Sequence, residues 1–170
     1  KRNIASPEQL SKLTADLQVL SGNRLLIGID QEGGKVNRLK ESYGFPRFIS
    51  AEEQAKKGED SVLFYADLTG KTLHELGINL DFAPCVDVNT NPKCPIIGKL
   101  GRGFSSNPNQ VARYASIWCW KLHVNSVIPC LKHFPGHGSS MADTHKGLAD
   151  VTDTWNSQEL IPYKELIGPI

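Results

Sequence analysis

Apolar positions along the chain switch between helical spacing and short continuous runs, and that alternation predicts the architecture. Leu10, Leu13, Leu17 and Leu20 recur at helical intervals and predict one apolar helix face. That helix opens at Ser6-Pro7-Glu8-Gln9, where Ser6 can cap, Pro7 brings a preset φ to the first helical position and Gln9 closes a capping box. Gly22-Asn23 ends it. Leu25-Leu26-Ile27-Gly28-Ile29-Asp30 is a continuous apolar run, which predicts a strand buried on both faces, and it gives way to polar Asp30-Gln31-Glu32-Gly33-Gly34. A second helical region starts at Ser50, with Glu53 three residues on, and breaks at Gly58. It then carries Val62, Ala66, Thr69, Leu73 and Leu76 on one stripe to a stop at Gly77. Residues 78–84 read as a second strand. Asn107-Pro108 starts a third helix, with Val111, Tyr114, Ala115, Trp118 and Leu122 in phase and Asn125 at its end, before a third strand over residues 127–131. Of Trp118 and Trp120, two positions apart on that helix, at least one is expected in the core.

Strands alternating with helices, each strand ending in charged or glycine-rich sequence, predict βα units on a parallel sheet with ligand groups at the strand carboxyl ends. Composition does not change this picture. The 170 residues, 39% hydrophobic and 22% charged, suit one globular domain or a piece of one. Nineteen Lys and Arg against eighteen Asp and Glu leave a net charge of +1, so no overall field attracts nucleic acid or an anionic bilayer. No apolar run approaches the roughly 20 residues of a membrane helix, and no secretory leader pattern opens the chain. It begins Lys1-Arg2-Asn3 without Met. Cys85, Cys94, Cys119 and Cys130 are too few and too irregular for a disulfide framework and are expected as reduced thiols, most of them in the core.

Three strand ends concentrate polar groups: Asp30 with Glu32 and Arg38; Asp81 with Asp87 and Arg102; and Lys132 with His133, His137, Asp143 and His145. A parallel sheet brings such ends together. Pro135 and the flanking glycines make Lys132-His133-Phe134-Pro135-Gly136-His137-Gly138 a loop, not a helix, so His133 and His137 lack the frame of a helical zinc pair. His133, His137, Asp143 and His145 are nonetheless acceptable metal ligands, and hydrogen-bonded loop histidines are the plainer reading. Asp143-Thr144-His145 sets a carboxylate two positions from an imidazole, where it can orient the ring as an acid/base dyad. Asp30 either caps the following segment or serves a ligand. Glu32 is expected at the surface. Lys132 is either paired with Asp30 or Asp81 or aimed at a ligand, because an unpaired ammonium is costly to bury. Arg102 holds either a loop or a substrate hydroxyl. The glycines at 28, 33 and 34 do not form a phosphate-cradling loop, since two acidic side chains lie among them and the dinucleotide spacing is missing.

The run from Lys132 to Gly138 followed by Asp143-Thr144-His145 closely resembles the signature of family-3 glycoside hydrolases of the β-N-acetylhexosaminidase type. The likeness extends from Arg2-Asn3-Ile4 through Ile29-Asp30-Gln31-Glu32-Gly33-Gly34 and residues 79–84 to Trp155. The resemblance implies a (β/α)8 TIM barrel that removes terminal β-linked N-acetylglucosamine, chiefly from muropeptides of the bacterial cell wall, by a retaining mechanism without metal or other cofactor. It further implies that His145 is the general acid/base, that Asp143 holds and charges it, and that Asp30, Arg102, Lys132 and His133 bind sugar hydroxyls, with Arg38 supporting Asp30. Gly103, where the family commonly has serine, departs from the pattern. Strands beginning near Leu25, Ile78 and Val127 make a unit of about 50 residues, so eight units would need roughly 400. Residues 1–170 are therefore expected to form a single incomplete barrel domain, inactive alone, without the first strand, the C-terminal half and the nucleophilic aspartate. The remainder is expected in the same parent polypeptide. The expected compartment is the cytoplasm, with a periplasmic or envelope lipoprotein as the alternative. A non-catalytic cell-wall sugar binder, a family-3 β-glucosidase and, third, a metal-dependent hydrolase stand as alternative functions.

Overall fold

A computed structural model of the chain describes residues 3–167, so Lys1 and Arg2 at the start of the family-like stretch lie outside the described residues. Helix α1 (Pro7–Ser21) leads into strand β1 (Gly28–Ile29); α2 (Ala51–Lys57) and α3 (Glu59–Glu75) lead to β2 (Leu80–Asp81); α4 (Pro108–Val124) leads to β3 (Ile128–Pro129), and α5 (Ile161–Ile167) follows. The strands form one parallel sheet in the order β1-β2-β3, with Ile29 beside Asp81 and Asp81 beside Pro129. An isolated bridge from Cys85 to Lys132 carries the β2–β3 pairing further toward the carboxyl ends. Each crossover runs through a helix, as parallel pairing requires.

The helix boundaries follow from local chemistry. Ser50 accepts the Glu53 amide while the Glu53 side chain takes the Ser50 N–H, a complete capping box. Gly58, at φ 97°, separates α2 from α3. Asn107 caps α4 ahead of Pro108. At α1, Ser6 accepts the Gln9 amide as expected, but the Gln9 side chain reaches the N–H of Ala5 and not that of Ser6.

The core lies between the sheet and helices α3 and α4, where Val62, Ala66, Leu73, Val111, Ala115 and Leu122 are fully buried. Thr69, the polar member of its stripe, is buried because its hydroxyl donates back to the Tyr65 carbonyl. Trp118 is buried and donates to Gln54, whereas Trp120 is exposed on the outer side of α4. Lys121 to Asp67 and Arg113 to Glu59 tie α4 to α3 at the surface.

Three expectations about packing need correction. Leu10 is buried, but Leu17 and Leu20 are exposed, and the other buried residue of α1 is Thr14, which donates to the Leu76 carbonyl at 2.6 Å. Leu25 and Leu26 are also exposed, so the first apolar run is not covered on both faces. The common cause is that β1 is an edge strand, with no layer over its outer side among the described residues. Of the four free cysteines only Cys85 and Cys94 are buried, and Cys119 and Cys130 are half-buried.

Candidate active site

The loop after β1 is folded by one buried side chain. Gln31 accepts the amides of Arg38 and Leu39 on Oε1 and donates to Asn37, while its own N–H goes to Asp81 Oδ1. This turn returns Arg38 to within 3.3 Å of Asp30. From β3, Lys132 Nζ lies 2.9 Å from Asp30 Oδ1 and 2.6 Å from Glu32 Oε1. Arg102 meets Glu32 as a two-pronged pair, Nε to Oε2 and Nη2 to Oε1, both at 2.8 Å. Its Nη1 donates to the Ile96 carbonyl, and its Nη2 also lies 3.0 Å from His133 Nε2. His133 Nδ1 in turn lies 2.6 Å from Asp87 Oδ2. All three strand ends are thus joined in one network.

Six of its members are formally charged: Asp30, Glu32, Asp87, Arg38, Arg102 and Lys132, three of each sign. The cluster presents no net field and suits a neutral polyhydroxyl ligand better than an anion. Burial pushes the Asp30 carboxyl up, but Lys132 and Arg38 together bring it below the ordinary value. Burial likewise opposes the charge on Lys132, yet Glu32 and Asp30 raise its affinity for the proton. Burial acts against Arg102 as well, and Glu32 more than restores its charge. Asp81, in the central strand, behaves differently. It is fully buried, its Oδ1 accepts the Gln31 amide, its Oδ2 has no partner, and burial lifts its pKa well above the carboxylate range.

The remaining pair sits on the loop beyond Gly138. That loop is pinned where Glu159, fully buried, accepts the Gly138 amide, and where Asn91 donates to the Ser140 carbonyl. Gly138 is required there, since a Cβ would run into the Val88 carbonyl. Farther out, Asp143 Oδ1 accepts the backbone N–H of His145 and lies 2.8 Å from its Nδ1. These two contacts, the backbone one first, hold the Asp143 carboxyl below its ordinary value. The His145 side chain is 80% exposed and makes no contact with the strand-end network among the described residues.

Sequence reasoning placed Asp30, Arg38, Lys132, His133 and Arg102 together, and the structure joins them. Lys132 pairs with Asp30 and not with Asp81. Arg102 is almost buried and four of its five N–H groups are engaged, so it holds loops together. Glu32, expected at the surface, is only 5% exposed, because Arg102 and Lys132 both require its charge. Glu159 and Gln31 were not singled out as structural anchors. Gln31, between two acidic residues at a strand end, carried a signal in its position; Glu159 carried none. The four candidate metal ligands of the histidine loops do not converge. The group of ligand atoms that does converge among the described residues is Cys85, Asp87 and His133, within 4.8 Å of one another. It is a hydrogen-bond knot, in which the Cys85 thiol and His133 Nδ1 both point at Asp87 Oδ2.

A parallel βα arc with its polar groups gathered at the strand carboxyl ends is the arrangement that the ligand-binding end of a (β/α)8 barrel has. The family match agrees: the glycosyl hydrolase family 3 N-terminal domain matches residues 1–169, and the chain belongs to that family. Beta-hexosaminidase A of Pseudoalteromonas piscicida is 38% identical over 97% of this chain, which spans 29% of that relative. A family-3 β-N-acetylglucosaminidase from Paenibacillus sp. FPU-7 superposes with a TM-score of 0.84 at 35% identity, over 98% of this chain and 32% of that one. Native NagZ from Neisseria gonorrhoeae gives a TM-score of 0.85 at 31% identity, over 97% of this chain and 50% of that one. The same gonococcal protein has been solved in complex with N-trifluoroacetyl-D-glucosamine. The chain therefore spans 29% to 50% of these three relatives.

Proposed function

We propose that these residues form the sugar-binding and proton-donating part of a retaining β-N-acetylglucosaminidase, whose barrel and nucleophile are completed by sequence beyond them. The observation that carries this reading is the joined network Asp30–Lys132–Glu32–Arg102–His133 at the strand ends. It is supported by the acid dyad on the adjoining loop and by the names of the relatives. Asp30, Arg38 and Lys132 offer charged acceptors and donors to sugar hydroxyls, and His133 adds a ring nitrogen. Arg102 takes part by fixing Glu32 and His133.

In the first step His145 donates a proton to the departing glycosidic oxygen while a carboxylate attacks the anomeric carbon. In the second it removes a proton from the water that releases the sugar. Asp143, accepting from Nδ1, stabilises the imidazolium and leaves Nε2 as the working nitrogen. The natural substrate is taken to be a muropeptide of the bacterial cell wall. No helix among the described residues is long and apolar enough to cross a membrane. The proposed compartment is the cytoplasm, which fractionation of cells expressing the full-length protein distinguishes from the envelope. Assaying that protein on the 4-nitrophenyl β-glycosides of N-acetylglucosamine and glucose tests the activity. Turnover of the N-acetyl sugar in preference to the other is expected; binding without turnover would make it a sugar-binding relative, and preference for glucose a β-glucosidase.

A further inference from the structure

Asp87 lies one step behind the residues assigned above to the sugar. It is fully buried near the β2 end, and four donors saturate its carboxylate: the His137 amide at 2.7 Å and the His133 amide at 3.4 Å on Oδ1, and His133 Nδ1 at 2.6 Å and the Cys85 thiol at 3.1 Å on Oδ2. Burial pushes this carboxyl up, but the contact with His133 and the other donors hold it below its ordinary value, so it stays ionised. His133 is gripped from both sides. Guanidinium nitrogens only donate, so the 3.0 Å contact from Arg102 requires a lone pair on Nε2, and the ring proton must then sit on Nδ1 facing Asp87.

We propose that Asp87 is a positioning residue for sugar binding: it fixes His133 in the Nδ1–H tautomer, so that Nε2 is an acceptor, filled by Arg102 in this structure and available to a sugar hydroxyl that takes its place, and through the His137 amide it sets the start of the loop that carries Asp143 and His145. The loop connection continues outward, since His137 Nε2 lies 3.3 Å from Thr144 Oγ1, next to both members of the dyad. The functional part of this proposal rests on the reading of His133 as a sugar-binding group; the tautomer does not.

Asp87→Asn isolates the effect. The substituted amide keeps one acceptor oxygen and gains an NH2 group, so it cannot accept from both His133 and His137. The His137 amide proton is fixed, whereas an imidazole proton can move, so the oxygen turns to His137 and the NH2 to His133. His133 must then carry its proton on Nε2, donor against donor with Arg102. A comparable Asp→Asn change behind a catalytic histidine costs activity by imposing the wrong tautomer.

The experiment is a long-range 1H–15N imidazole spectrum of the full-length protein, with the His133 signals assigned by their loss in His133→Gln. The Nδ1–H pattern is expected in the wild type and the Nε2–H pattern in Asp87→Asn. In parallel, KM for the 4-nitrophenyl N-acetylglucosaminide should rise about tenfold, the worth of one misdirected hydrogen bond, with a smaller change in kcat. An Nε2–H pattern in the wild type would overturn the proposal, even if Asp87→Asn failed to fold. So would an Asp87→Asn protein with unchanged tautomer and unchanged KM. If the wild type shows the Nδ1–H pattern but turns over no glycoside, the positioning geometry stands and the hydrolase reading fails.

Discussion

The strand-end network and the Asp143–His145 loop are two kinds of construction proposed for one active site. In the network, Glu32, Arg102 and Lys132 are nearly buried, each charge answers another, and the partners come from elements 70 and 102 residues apart. In the loop, the pair is built from residues two apart, its bonds are internal, and the histidine stands in solvent. The difference follows from the work proposed for each. Groups that recognise hydroxyls gain from fixed geometry, because little ordering remains to be done when the ligand arrives. A group that must give a proton to the departing oxygen and then take one from water gains from access. The two regions should therefore fail differently when damaged, one in stability and binding together, the other in turnover alone.

The largest effect is expected at the loop. In the full-length protein His145→Ala should lower kcat about 10²–10⁴-fold, the usual worth of a positioned proton donor, with an unchanged melting temperature, and Asp143→Asn should move kcat in the same direction. Steady-state kinetics alongside a thermal melt checks this, and a parallel loss of stability would erase the distinction between the regions. Glu32→Ala strands Arg102 and Lys132 without their shared counter-charge and should destabilise the fold by about 3–5 kcal/mol, read from chemical denaturation. A stable variant with altered KM only would show that the network is less buried in solution than the structure has it.

A gain is expected at Asp81, inside the network's floor yet without a partner for Oδ2. Its folded-state pKa is raised, so its neutral form contributes fully below the unfolded value of about 3.9 and that contribution is lost as pH rises toward the folded pKa. Asp81→Asn keeps the acceptor for the Gln31 amide and removes the titration. It should therefore stabilise the protein near pH 7, on the order of 1 kcal/mol, with the advantage shrinking toward pH 4. Melting curves at several pH values give the sign directly. The smallest effect is expected far from both regions, where Lys12→Ala removes an exposed pair with Asp16 and should change stability by less than about 0.5 kcal/mol.

Much of this was readable from the chain because it is local. The capping box at Ser50, the break at Gly58, the Asn107-Pro108 start and the Asp143–His145 contact all depend on neighbours within a few residues. What could not be read depends on distant partners. Nothing near Glu32 says that Arg102 and Lys132 will enclose it, and nothing near Gly138 points to Glu159. Leu17 and Leu20 repeat the spacing of Leu10 faithfully, yet periodicity cannot tell which end of a helix has a layer to lie on.

The division of labour between the two regions is tested most directly by leaving-group dependence. For the full-length protein, kcat/KM on a series of aryl N-acetyl-β-D-glucosaminides should vary little with the pKa of the departing phenol, because His145 protonates it as the bond breaks. In His145→Ala the same plot should become steep, with the most acidic phenols partly rescued. Equal slopes for the two proteins would contradict the assignment of His145 as the acid and with it the separation of binding from proton transfer.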